Sequence, residues 1–176
     1  MKDARRASNT FDAIAEHFDK TRNRPWDEVI EFLEDCKGTL LDIGCGNGRH
    51  LVEAMERGLD VYGIDASMEL LHISKRKIRG EGELIRADVK SLPFEDKSFE
   101  NIIYIATIHH LKQGRVKSLK ESKRVLDDGG KILVSSWARE LDRWDLEREE
   151  RNVVVPWHRE DGEVIERFYH LYRLGE

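Results

Sequence analysis

Residues 40–51, LLDIGCGNGRHL, constrain this chain more than any other stretch. Leu40, Leu41 and Ile43 make a short apolar run that reads as a buried strand. It opens into Gly44, Gly46 and Gly48, and a helical pattern follows. That order is the strand, glycine turn and helix start of a nucleotide-binding α/β unit. The glycines permit tight turning and let a ligand approach main-chain N–H groups with no Cβ between. Two details point away from a dinucleotide. The spacing is GxGxG, and an acid, Asp42, stands two residues before the first glycine. A carboxylate there repels a pyrophosphate but suits a ligand carrying an amino group and a sulfonium.

Further strands follow at regular intervals. Residues 60–64 predict a second strand ending in Asp65-Ala66-Ser67. Asp65 is placed to accept from both ribose hydroxyls, and Ser67 to cap a helix. Residues 82–87 predict a third strand ending in Asp88, placed for an adenine amino group, with Val89 beside the ring. Residues 101–106 form a nearly all-apolar fourth strand that brings Ile105 to the same edge; residues 131–137 are the fifth. A nearly continuous apolar strand is one covered on both faces. Each strand precedes a segment with helical signals, so the alternation predicts an α/β fold with a doubly wound, mostly parallel sheet. The ligand with the required amino group, sulfonium, ribose and adenine is S-adenosylmethionine.

Residues 38–138 resemble the class I S-adenosylmethionine-dependent methyltransferases. The resemblance implies a Rossmann-like sheet of order 3-2-1-4-5, with the cofactor across the carboxyl ends of strands 1, 2 and 4. Around this core the sequence predicts an N-terminal helical arm (1–37) and a late segment (139–176), one globular domain in all. At 176 residues the chain is long enough to bury a core, with 39% hydrophobic and 37% charged residues. No apolar run approaches a membrane span and no secretory signal is present, so the expected setting is cytoplasmic, with no membrane contact. The two cysteines, Cys36 and Cys45, lack ligand-type spacing; neither a disulfide nor a metal is implied.

In the arm, Phe11, Ile14, Ala15 and Phe18 share a helical face. Pro25 is suited to the first position of a second helix whose stripe is Trp26, Val29, Ile30 and Leu33. The break between them, HFDKTRNRPW, reads either as a solvated turn or as a lid whose arginines grip a carboxylate bidentately.

At this break the resemblance narrows. HF-x2-TR-x2-PW followed by V-I-x-FL is similar to the opening of the tRNA wobble-uridine carboxymethyl methyltransferases, which include free-standing enzymes and the methyltransferase module of AlkB-type oxygenases. Residues 105–111 (IATIHHL) resemble that family's IAVIHHL, residues 155–158 its VPW segment, and residues 167–172 with Gly175-Glu176 its RYYHLF-x-x-GEL. The resemblance implies methylation of the carboxylate of 5-carboxymethyluridine in the tRNA anticodon loop to a methyl ester. A carboxylate is ionised at neutral pH, so no general base is needed. Arg22 or Arg24 would orient that carboxylate or hold the methionine carboxylate of the cofactor; the residues alone leave both roles open. The resemblance also implies a small zinc-binding activator protein as partner.

His109 and His110, adjacent at a strand end, point opposite ways, so at most one is expected to line the cleft, His110 being preferred on the substrate side, with the other packed under the next helix. Trp157, His158, Tyr169 and His170 either contact an extruded base or pack the late strand. The net charge of −5 does not favour a polyanion. Basic clusters at residues 75–79 and 112–124 read mostly as solvated helix faces, the second around an apolar face of Val116, Leu119 and Leu126. Residues 139–163 are highly charged and read as a helix or loop over the site. The family's closing helix and strand pair are absent from these 176 residues. The fifth strand's edge is therefore expected to be open to a second chain, as in an oligomer, or covered by residues 164–172. Two other functions share the core: a methyltransferase for a small carboxylate metabolite, which would not need the TR-x2-PW and YHLY ends, and a non-catalytic cofactor-binding subunit.

Overall fold

The computed structural model describes residues 2–140 and 150–175. Five strands, β1 (Thr39–Ile43), β2 (Asp60–Asp65), β3 (Glu83–Arg86), β4 (Phe99–Tyr104) and β5 (Leu126–Val134), form one parallel sheet of order β3-β2-β1-β4-β5. The order reverses between β1 and β4, and such a reversal opens a crevice at the carboxyl ends of the strands. Leu40, Leu41, Ile43, Ile64, Ile102 and Ile103 are fully buried in this sheet, as expected for strands covered on both faces.

Helix α1 (Lys2–Thr21) lies against the core, and α2 (Asp27–Glu34) follows. Helices α3 (Arg49–Glu56), α4 (Met68–Lys77) and α5 (Arg115–Val125) connect β1 to β2, β2 to β3 and β4 to β5. Ile14 and Ala15 bury the inner face of α1. Polar ties hold it as well. Asp12 accepts from the Ser67 hydroxyl at 2.6 Å, while Asp19 accepts from Asn47 at 2.7 Å and pairs with Lys77. Pro25 lies just outside α2 rather than at its first position. Trp26 is the N-cap, with extended backbone, and its carbonyl accepts from the N–H groups of Val29 and Ile30.

Three expectations are corrected. No helix forms between β3 and β4. Residues 87–98 are turns there, pinned by Arg124 of α5, which donates to the carbonyls of Phe94 (2.8 Å) and Leu92 (3.0 Å) and to Asp96 and Glu121. The same contact holds the Glu121 carboxyl down at about 2. Replacing Arg124 with alanine strips two carbonyls and two carboxylates of a cationic donor. We expect a loss of about 2–3 kcal/mol, read as a lower urea midpoint at unchanged slope.

The inner face of α5 is not Val116, Leu119 and Leu126. Ser118, Ser122 and Val125 are buried, whereas Val116 is 67% exposed. The serines are buried at little cost because their hydroxyls bond back to the helix carbonyls of Arg115 and Ser118, and Ser118 also accepts from the Tyr104 hydroxyl.

Residues 152–158, read as part of a charged helix or loop, instead form a strand. β6 (Asn152–His158) pairs antiparallel with β7 (Val164–His170) in a separate hairpin. The charged residues 141–149 lie outside the described residues. Beyond β7, Tyr172 bridges to Ala138, with its N–H donating to Trp137 at 3.0 Å. That bridge lies past the end of β5. Among the described residues Leu126–Val134 pairs with β4 alone, and Ile132 and Val134 on it are exposed. Among the described residues no helix is long and apolar enough to cross a membrane.

Candidate active site

A cavity of about 260 Å³ opens where the sheet order reverses. Its floor is the carboxyl ends of β1 to β4; its roof is α1, the turn after β4 and the β6–β7 hairpin.

On the floor, Gly44 has φ +79°, and a Cβ there would lie 2.4 Å from the Thr107 side chain. Gly46 has φ +54°, and its missing Cβ faces the ring of Phe18 across the cavity at 3.7 Å. Asp65 clamps this loop, its carboxylate accepting from the N–H of Gly46 (2.9 Å) and of Ser67 (2.8 Å). Burial raises the Asp65 pKa and these hydrogen bonds oppose the rise. Ala66, Asp88, Val89 and Ile105 also line the cavity. Asp88 accepts from the N–H of Lys90 and faces its ammonium at 3.5 Å.

Three predicted cofactor residues do not line the cavity. Asp42 is 1% exposed behind the glycine loop, one carboxyl oxygen lacking a hydrogen-bond partner among the described residues, with His50 Nδ1 at 3.9 Å. Burial pushes its carboxyl up to about 8, with Arg49 opposing. Gly48 caps α3 where it packs on Ser74. Ser67 is fully buried, capping α4 through the N–H of Leu70.

The hairpin sorts the late residues by strand alternation. Register places Val153, Val155, Trp157, Ile165, Arg167 and Tyr169 on one face, and four of these, including Trp157, Arg167 and Tyr169, line the cavity. His158 and His170 fall on the other face and do not reach it. His158 is exposed; His170 is buried against Asn152 at 2.9 Å. Arg24 is likewise exposed and away from the cavity, whereas Arg22 lines it. Arg22 lies 5.4 Å and Arg167 4.7 Å from the centre of the same Trp157 ring, whose indole N–H donates to His17. Neither arginine has a carboxylate partner among the described residues. Repulsion from Arg22 lowers the pKa of Arg49 on one side and of Arg167 on the other, adding to burial in both. Arg22 adjoins both neighbours: its carbonyl accepts from Arg49 at 3.4 Å, and it shares the Trp157 ring with Arg167.

His109 and His110 both line the cavity, against the strand-based expectation that one points away. Ala106 turns the chain with φ +49°, and Ile108–His110 form a 3-10 turn, so strand alternation no longer applies. The His110 Nδ1–H donates to the carbonyl of Phe168 at 3.1 Å. The sequence reading missed Arg49, His50 and Arg167. Arg49 and His50 directly follow the glycine loop. Arg167 stands two residues from Tyr169, and period two would have found it once the strand was recognised.

His50, His109 and His110 are all pushed below the ordinary 6.5, chiefly by burial, His50 to about 3 and His110 to about 4. The unfolded chain binds these three protons at a pH where the folded protein does not. Their contribution to stability is therefore complete above about pH 6.5 and is lost as pH falls through the folded pKa values. Asp42 and Asp65, raised by burial, carry the opposite slope over the same range, so the test is a difference: urea midpoints at pH 7.5, 6 and 5 should fall less toward acid in His110→Phe than in the wild type, and an equal fall would sink the assignment.

A family profile described as "Methyltransferase domain" matches residues 41–134. The probable tRNA methyltransferase 9B of Homo sapiens is 36% identical over 155 residues, covering 86% of this chain and 33% of that protein. The tRNA (carboxymethyluridine(34)-5-O)-methyltransferase of Arabidopsis thaliana is 33% identical over 90% of this chain and 37% of its own length. The chain thus spans about a third of the length of these curated relatives. The PH0226 protein of Pyrococcus horikoshii superposes with a TM-score of 0.67 at 25% identity, covering 82% of this chain and 75% of that one. A family match over more than half the chain, on a sheet that reverses at the glycine loop, puts the protein in the class I methyltransferases, whose methyl donor is S-adenosylmethionine.

Proposed function

We propose that this domain methylates the carboxylate of 5-carboxymethyluridine at the tRNA wobble position, giving the methyl ester. The observation that carries the reading is the pair Arg22 and Arg167, set on one indole at the cavity with no carboxylate partner among the described residues. Guanidinium groups are the preferred bidentate partners of carboxylates. The names of the relatives at 33–36% identity supply the RNA and the base.

The floor fits S-adenosylmethionine. The Arg49 guanidinium suits its carboxylate, Asp65 its ribose hydroxyls and Asp88 its adenine amino group, with Val89 and Ile105 beside the ring. When bound, the cofactor supplies a methyl on sulfonium, which a carboxylate oxygen takes as the C–S electrons return to sulfur. No proton moves. The residues therefore need to orient and to exclude water. Arg167 and Arg22 fix the carboxylate, while Phe11, Phe18, Trp157 and Tyr169 keep the surroundings apolar, which favours a step that cancels two opposite charges. Two buried free cysteines, Cys36 and Cys45, fit a reducing cytoplasm, and a small activator protein completes the partners we propose.

The test is transfer of labelled methyl from S-adenosylmethionine to tRNA carrying 5-carboxymethyluridine, with and without an activator. Label in the wobble nucleoside that mild alkali releases supports the reading. Cofactor binding without transfer under either condition overturns it in favour of a metabolite enzyme or a non-catalytic subunit.

A further inference from the structure

His109 is 0% exposed and lines the cavity. Its ring stacks on Tyr169, 4.7 Å between centres and 27° between planes, with His110 4.3 Å away and Trp137 edge-on at 6.3 Å. Neither Nδ1 nor Nε2 has a hydrogen-bond partner among the described residues. Its neighbour His110 is satisfied by the Phe168 carbonyl, and buried His170 by Asn152. Burial, with His110 and Arg167 alongside, keeps the His109 ring neutral, so it offers one N–H donor and one acceptor nitrogen. A ring wanted only for packing carries no such polar burden, and buried polar groups are otherwise almost always paired.

We propose that His109 reads the base. Its stacked ring hydrogen-bonds the imide edge (O4, N3–H, O2) of the pyrimidine that enters the cavity, making it a specificity determinant. This rests on the tRNA reading above and deepens it. In a carboxymethylated uracil the anionic arm is matched by Arg22 and Arg167. The remaining polar part is a neutral edge that both donates and accepts, as a neutral imidazole does. His109 also sits against the rings of Tyr169 and Trp137, and an aromatic wall there suits a splayed-out base.

Wild type, His109→Phe and His109→Gln are compared on two tRNAs, one with 5-carboxymethyluridine at the wobble position and one with the same base methylated at N3. Cofactor affinity is measured by calorimetry alongside. In the wild type, N3 methylation is expected to lower kcat/KM at least tenfold. In His109→Phe the unmodified-edge RNA should lose 10- to 100-fold and the N3 penalty should shrink below threefold, with cofactor affinity within twofold. His109→Gln should recover part of both. A His109→Phe protein that keeps its full N3 penalty, however slow, shows that the ring only packs and overturns the inference alone. Wild type silent toward the carboxymethylated tRNA overturns the tRNA reading and this inference with it. Should His109→Phe lose its cooperative unfolding transition, His109→Leu takes its place under the same criteria.

Discussion

Replacing Arg167 with methionine is expected to lower kcat/KM for carboxymethylated tRNA about 100- to 1000-fold, roughly 3–4 kcal/mol of transition-state stabilisation, while cofactor affinity stays within about twofold. Arg167 shares the Trp157 ring with Arg22 and also lies 5.2 Å from the Tyr169 ring. Its Nε is buried with no hydrogen-bond partner among the described residues, a donor suited to an anion in the cavity. Methionine keeps most of the apolar stem that covers the indole and removes the fork of donors. A carboxylate held by Arg22 alone turns away from the line of attack, and small misplacements are costly in displacement reactions. The comparison with Arg22→Met is informative. Arg22 adjoins Arg49 as well as Arg167, so its loss should weaken cofactor binding as well as lower turnover. Equal losses of cofactor affinity in both variants would contradict that arrangement.

Gly44→Ala is expected to lower cofactor affinity more than 100-fold and to lower the melting temperature. Two penalties act together. At φ +79° an alanine is strained by about 1–2 kcal/mol, and the new Cβ would lie 2.4 Å from Thr107 Oγ1 and Cγ2, an overlap relieved only by a shift costing about 1–3 kcal/mol. The two are separable. Adding Thr107→Ala removes the two nearest atoms and leaves Thr107 Cβ at 2.8 Å, so the double variant should regain part of the melting temperature. The backbone strain remains, and with it most of the loss in cofactor affinity. Full recovery in the double variant would show that the left-handed turn is not needed. Calorimetry and thermal melts read both effects.

What was legible in the sequence was whatever a few neighbouring residues decide. The glycine loop, the acids at strand ends and the apolar strands are local patterns, and the sheet order follows from them. Three misreadings depend on contacts distant in sequence or on a backbone turn with no residue signature, and a fourth on a local period that went unused. Arg124 replaces a helix by gripping a loop some 30 residues away. The serines of α5 look like a solvent face until Tyr104 and the helix carbonyls absorb their hydroxyls. His109 and His110 converge because Ala106, a residue with no special claim on a left-handed turn, adopts one. His158 and His170 were set beside Trp157 and Tyr169 because adjacency in sequence was read without the strand period, which sends neighbours to opposite faces. Arg22 and Arg24 are a fifth case of a different kind. Only the fold shows which of two nearby arginines turns inward.

The clamp at Asp65 carries a thermodynamic consequence. Its carboxylate already spans the N–H of Gly46 and that of Ser67, so the glycine loop and the start of α4 are fixed relative to each other before any ligand arrives. A ribose meeting that carboxylate finds its acceptors oriented, and the ordering entropy has been spent during folding instead of at binding. Cofactor affinity is in this sense partly banked in the apoprotein's rigidity, and Asp65→Ala should loosen amide-exchange protection at Gly46 and Ser67 even with no cofactor present.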